Sequence, residues 1–310
     1  MSANVETMAW VGQVPWHGLG NEVQANILPE DMLVAAGADW KVIEKASFIE
    51  VNKKRIKTGQ KALIRDTDNQ ILTNVGKNWK PVQNETAFQF FDEFVKDAGN
   101  MEMHTAGVLQ NGRIVWVLAK VKEGFTLKNK DRVESYLLFS NPHIYGKSIE
   151  IRFTPIRVVC NNTLTAALNM KNTDGVSLSH ATKFDPDAVK EAMGLASNKL
   201  DNYAEMAEFL SEKEYTDDTL TNFLEEVFGK SKKDGKRVPN VETAMALIEK
   251  QPGAELFPNT WWNAFNVVSF MTDHVMGNSD EGRLQSAWFG PNETRKQKAL
   301  SKVVEYAEAA

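Results

Sequence analysis

Cysteine is nearly absent: Cys160 is the single one in 310 residues. One thiol excludes an internal disulfide framework and a cysteine-rich zinc module, and with no histidine indicated near it as a base, a buried structural role is expected for it. No run approaches the ~18 consecutive apolar residues that a membrane-spanning helix needs. The opening MSANVETMAW lacks the basic stretch and apolar run of a secretory signal. Neither a phosphate-binding loop nor a dinucleotide G-x-G-x-x-G turn occurs, and His17, His104, His143, His180 and His274 stand at no metal-ligating spacing. The expectation is a cytoplasmic protein in a reducing compartment, with no metal and no cofactor. Nothing marks it as an enzyme, and an internal repeat is missing as well.

What is present is an ordinary globular composition, 42% hydrophobic and 25% charged, with its charge unevenly spread. Residues 1–180 carry a net +2 and residues 181–310 a net −7, which together make the net −5 of the chain. Within the first half, residues 41–80 hold ten basic and four acidic side chains. A local positive field can coexist with a negative total, and the local field is what a phosphate backbone meets.

The pattern divides the chain into an α+β part, 1–180, and a helical part, 181–310. Residues 1–28 read as an irregular arm around Val14-Pro15-Trp16-His17-Gly18-Leu19-Gly20, where two glycines and a proline favour turns. A short helix opens after Pro29. From Trp40 the period becomes two, which predicts a strand over 41–51 and a hairpin of 62–65 with 71–75 around Asp66-Thr67-Asp68-Asn69. Asn84 is placed to cap a helix whose apolar face is Ala87, Phe90, Phe91, Phe94, Val95 and Ala98, ended by Gly99. Strands 104–110 and 113–122 flank Asn111-Gly112, a strong hairpin signal. Strands 133–140 and 147–160 follow, and then a helix over 163–170 capped by Asn161 or Asn162. The predicted order is thus a mixed or antiparallel sheet with packed helices, β-β-β-α-β-β-β-β-α. Helices are expected over 186–213, 216–228, 240–250, 260–276 and 293–309, with a polar loop from Ser231 to Arg237. The stripe Trp261, Phe265, Val268 and Thr272 reads as core.

Four groups carry binding chemistry. Arg157, at a strand end, stands just before Asn161 and Asn162, and a guanidinium beside free helical N–H groups suits an anion such as phosphate. The plainer reading is a helix cap and a paired arginine. Lys77, Trp79 and Lys80 interleave cations with an aromatic ring, the combination with which single-strand binders track phosphates and stack bases. Trp79 reads equally as core with the lysines as a rim. Lys53, Lys54 and Arg55, with Lys57, add a basic segment that also reads as a solvated turn. Trp16 and His17 offer a stacking ring and a titratable group on the irregular arm, and the plainer reading folds the arm back so that Trp16 plugs a groove on its own sheet and His17 is a satisfied surface residue.

Four stretches resemble the phage/plasmid-like family that carries domain of unknown function 932. They are Glu6-Thr7-Met8-Ala9-Trp10 running on to Pro15-Trp16-His17-Gly18-Leu19-Gly20, then Trp79-Lys80-Pro81-Val82-Gln83-Asn84, then Thr154-Pro155-Ile156-Arg157-Val158-Val159-Cys160-Asn161-Asn162-Thr163-Leu164, and finally Arg283-Leu284-Gln285-Ser286-Ala287-Trp288-Phe289-Gly290. The resemblance implies a product of phages, plasmids and laterally moved islands, and it implies no chemistry. The element order is also similar to the core of single-strand annealing recombinases of the Red beta and RecT kind, an analogy of fold that transfers no residue. Binding of single-stranded DNA, for annealing in replication or recombination, is the expectation that follows. The alternatives are an interaction or counter-defence factor that meets a host or phage protein through the acidic helical half, and an enzyme with an unrecognised site. A homo-oligomer is compatible with either.

Overall fold

The computed structural model describes residues 5–12, 19–157, 162–163, 175–194, 198–230 and 238–310. The fold is α+β, as the sequence patterning predicts. Eleven strands among these residues form two sheets. The larger contains β1 (Val5–Val11), β2 (Asn21–Val23), β6 (Met101–Leu109), β7 (Ile114–Leu127), β8 (Asp131–Pro142), β9 (Ile149–Arg157), β10 (Asn162–Thr163) and β11 (Gly175–Leu178). Its order is β10-β9-β8-β7-β6-β1-β2, with β11 also pairing to β9. The smaller contains β3 (Val42–Val51), β4 (Lys54–Arg65) and β5 (Ile71–Val75) in that order. The helices are α1 (Pro29–Ala35), α2 (Asn84–Gln89), α3 (Pro186–Gly194), α4 (Asn198–Glu212), α5 (Asp217–Phe228), α6 (Pro239–Leu247), α7 (Trp261–Phe270), α8 (Asp280–Phe289) and α9 (Pro291–Glu308).

The chain divides into two compact units. The first comprises Met1–Lys122, Leu137–Arg152 and Gly175–Leu195, and the second Glu123–Tyr136, Phe153–Asp174 and Ala196–Ala310. In the first unit the expected irregular arm contains a strand. β1 lies between β2 and β6 with Met8, Ala9 and Trp10 buried. The parallel β1–β2 pair is possible because Gly20, at φ +87°, lies against the Met8 carbonyl, where a Cβ would be 2.7 Å from the oxygen. The helix expected after Asn84 is broken. α2 ends at Gln89, and a π-helical turn covers Glu93–Asp97 before Gly99, at φ +61°, stops the chain. Phe90, Phe139 and Phe184 pack edge to face, with centroids 5.4–6.5 Å apart, in a geometry favoured by ring quadrupoles.

In the second unit α4, α5, α6, α7 and α9 bury a core that includes Trp261, Trp262, Phe223, Phe265 and Leu300. The stripe Trp261, Phe265, Val268 and Thr272 is buried, as its helical spacing predicts. The adjoining hairpin tip contributes Asp131, which accepts from the Trp262 indole N–H at 3.0 Å. α7 runs into a π-helical turn, Met271–Val275, where Asp273 pairs with Lys296 of α9 at 2.9 Å, both side chains 1% exposed. The helix α8, which the helical patterning leaves out, covers the fourth of the resembling stretches. The expected polar loop 231–237 lies outside the described residues, and among the described residues no helix is long and apolar enough to cross a membrane.

Candidate nucleic-acid interface

The basic segment lies at the end of a long two-stranded ribbon, with Lys53 in its exposed turn and Lys54, Arg55 and Lys57 on the strand that follows. β3 and β4 pair antiparallel from Val42–Arg65 out to Val51–Lys54. The connection is a two-residue turn, Asn52 at φ 50° and Lys53 at φ 62°, the positive-φ pair that matches the twist of a hairpin. Opposed pairs share a face, so Phe48, Glu50, Arg55 and Lys57 lie on one side and Ile49, Val51, Lys54 and Ile56 on the other. No residue from Ala46 to Gln60 is buried. Phe48, Ile49, Val51 and Ile56 are between 45 and 52% exposed. The Arg55 guanidinium sits over one face of the Phe48 ring, 4.7 Å from its centroid.

Charge pairing changes along this ribbon. At its root Arg65 is held by Asp68 and Glu6, each at 2.6 Å, and lies over the Trp40 ring at 5.5 Å. Those hydrogen bonds, the Asp68 one first, raise its pKa further above the ordinary arginine value. Lys61 pairs with Glu44 at 2.7 Å. Beyond that point Lys53, Lys54, Arg55 and Lys57 have no carboxylate within ion-pair distance among the described residues. The root is a structural anchor, and the far end is an open cationic surface.

Lys77, Trp79 and Lys80 separate into two roles. Both lysines are exposed, but Trp79 is 9% exposed, with one ring face stacked on His180 at 3.9 Å. Trp79 is therefore part of the wall of the unit and is not open for stacking. His180 fixes this loop, since its carbonyl accepts from the Lys80 N–H at 2.8 Å and its Nδ1 bonds the Lys80 carbonyl at 3.1 Å. Burial lowers its pKa.

Behind the loop lies a buried polar group that sequence reasoning missed. Asn84 is no helix cap: Gln83 occupies that position. The Asn84 amide donates instead to the carbonyls of Ala38 at 3.0 Å and Trp40 at 3.4 Å, and its oxygen accepts from His143 Nε2 at 2.9 Å. His143 is fully buried and its pKa is pushed down to about 3 by that burial, with the neighbouring His180 adding to the effect. Asn141 holds the Val82 carbonyl at 2.9 Å. The available signal was Asn141-Pro142-His143, which reads as an ordinary turn.

Arg157 ends β9, and Asn162 and Thr163 form β10 with Asn162 directly opposite Arg157. A helix does not begin at Asn162, so the expected pairing of a guanidinium with a helix start at this residue is corrected: Arg157 and Asn162 are neighbours across a strand pair. Their side chains, and Cys160, Asn161, Trp16 and His17 altogether, lie outside the described residues. The ribbon end belongs to the first unit, Arg157 and Asn162 to the second. Among the described residues no group of three or more His, Cys, Asp or Glu is arranged to hold a metal ion.

A family model described as a domain of unknown function, DUF932, matches residues 71–306. The chain belongs to this family. The DUF932 match takes in Lys77, Trp79, Lys80, Asn84, His143, Arg157 and Asn162, and it begins at β5, so β3 and β4 precede it. Comparison with curated proteins and with solved structures finds no match.

Proposed function

We propose that this DUF932 protein binds single-stranded nucleic acid through the end of the β3–β4 ribbon. In this reading it is a binding protein rather than an enzyme, one that holds or anneals strands during replication or recombination of phage or plasmid DNA. One observation carries it: Lys53, Lys54, Arg55 and Lys57 have no ion-pair partner among the described residues and stand on an exposed ribbon beside an exposed aromatic ring, Phe48. Cations spaced along a strand follow a phosphate backbone, and the Phe48 face away from Arg55 is available to a base. Lys77 and Lys80 are further exposed cations of the same unit.

The test is fluorescence anisotropy with a labelled poly-dT oligonucleotide across a salt series. Binding weakens as salt rises, with a log–log slope of about −0.7 per phosphate neutralised. Replacing Lys53, Lys54, Arg55 and Lys57 with Ala reduces that slope by roughly 3, and Phe48→Ala weakens binding by about 1–3 kcal/mol. Neither change disturbs folding, because the ribbon end buries nothing. Absence of detectable binding by the folded protein at ~50 mM salt, where phosphate contacts are strongest, overturns the proposal.

A further inference from the structure

The helix α4 carries a second charged surface that complements the ribbon. Asp201, Glu205, Glu208 and Glu212 recur at intervals of four, three and four, so they form one stripe along the helix, and all four are exposed. Glu212 is bridged by Lys128 at 2.8 Å, whereas Asp201, Glu205 and Glu208 have no ion-pair partner among the described residues. Glu214, Asp217 and Asp218 continue the exposed acidic surface at the start of α5. The opposite side of α4, with Tyr203, Ala207 and Leu210, is buried in the core of its unit, so the stripe is held rigidly.

The dimensions agree. Eleven residues of helix place Asp201 and Glu212 about 16 Å apart. Lys54 to Lys57 span about 10 Å of extended chain, within the length of the stripe, and Arg55 and Lys57 share a face about 7 Å apart against about 6 Å along the helical stripe. Both surfaces also present a partly exposed ring, Phe48 on the ribbon and Phe209 beside the stripe. That matters because exposed ion pairs alone hold little. Every copy of the chain carries both surfaces, in equal numbers.

We propose that the ribbon end of one copy docks on the α4 stripe of a second copy. Such a contact joins unlike surfaces, so it either closes on itself as a ring of copies or runs on head to tail as a chain. It also places carboxylates where the proposed function places phosphates, so self-association and nucleic-acid binding compete for the same cations.

Sedimentation velocity of the full chain tests this. At ~50 mM salt the weight-average sedimentation coefficient rises with protein concentration, and at ~500 mM salt, where screening acts within a few ångströms, it does not. Lys54→Glu with Arg55→Glu abolishes association, as does Glu205→Lys with Glu208→Lys. An equimolar mixture of the two variants associates again, which a merely damaged fold would not do. The helix variant keeps its full affinity for poly-dT while the ribbon variant loses it, so failure of the nucleic-acid reading and failure of this one are separable. Addition of poly-dT dissociates the wild-type assembly. A monomer at ~100 µM protein and ~50 mM salt overturns the proposal. Association that survives both reversals unchanged overturns it as well.

Discussion

His143 is an imidazole held neutral by its surroundings. Its folded pKa of about 3 lies below the ordinary histidine value of 6.5, because charging it inside the first unit forfeits hydration. The unfolded chain takes up a proton as pH falls through 6.5, while the folded chain declines it until about 3. The stabilising contribution is complete above pH 6.5 and shrinks by about 1.4 kcal/mol for each unit below it. Urea melts should therefore show the protein about 2 kcal/mol less stable at pH 5 than at pH 6.5 from this group alone. His180, also lowered by burial, adds in the same direction. In His143→Asn the protein is weaker at neutral pH, but the dependence between pH 6.5 and 5 flattens. An unchanged slope in that variant counts against a neutral buried His143. The pair Asp273–Lys296 poses the opposite problem, two charges buried together. Lys296→Met removes the cation from a buried ion pair and should cost about 3–5 kcal/mol, whereas Lys296→Met combined with Asp273→Leu should cost clearly less. Chemical denaturation of the two variants compares them directly.

Individual elements explain how much of this was legible beforehand. The alternation from Val42 to Val51 and the Asn111-Gly112 turn are local signals, and β3, β6 and β7 follow from them. Helices α5 and α9 show because each is three turns or longer with an apolar face, and α7 because its apolar residues continue into the π-helical turn that follows it. β1 is hidden because its partners, β6 and β2, are supplied by segments it does not adjoin in the early pattern, and glycines near it suggest turns. Asn84 reads as a cap because Asn usually caps, and only the tertiary fold reveals that it binds His143 and two carbonyls. The candidate site was half legible: the residues Lys53, Lys54 and Arg55 stand out by charge, but their strand does not. Lys53 disguises it by occupying a positive-φ turn position that sequence patterns assign to glycine. Lys53→Gly should thus relieve about 1 kcal/mol of left-handed strain. Slower amide exchange along β3 and β4 would register it, while the salt slope of nucleic-acid binding falls by about 0.7 as one cation is lost. Faster exchange in that variant would contradict the turn assignment.

At the scale of the molecule, the first unit depends on both ends of its sequence. Removing residues 1–12 would matter little for an irregular arm. With β1 between β2 and β6, the deletion strips a buried strand from the sheet and bares the β6 edge. The shortened chain should aggregate or lose its cooperative melt, as size-exclusion chromatography and circular dichroism would report. A monomeric chain that melts like the full-length protein would rule out an integral role for β1.

The interleaving of the two units also has a consequence for biosynthesis. β7 reaches from the first unit into the second, β8 returns, and β9 crosses again, so the first unit closes only with β11 and α3. Once residue 122 has emerged from the ribosome most of that unit is free to fold, with β6 able to pair with residues 114–121 of β7 but no β8 to cover them. At translation speeds of about 5–20 residues per second, the nascent chain waits several seconds for Leu137–Arg152 and Gly175–Leu195 to emerge. During that interval the unpaired flank of β7 is a natural target for a chaperone, and messenger codons that slow translation between 123 and 195 would lengthen the exposure.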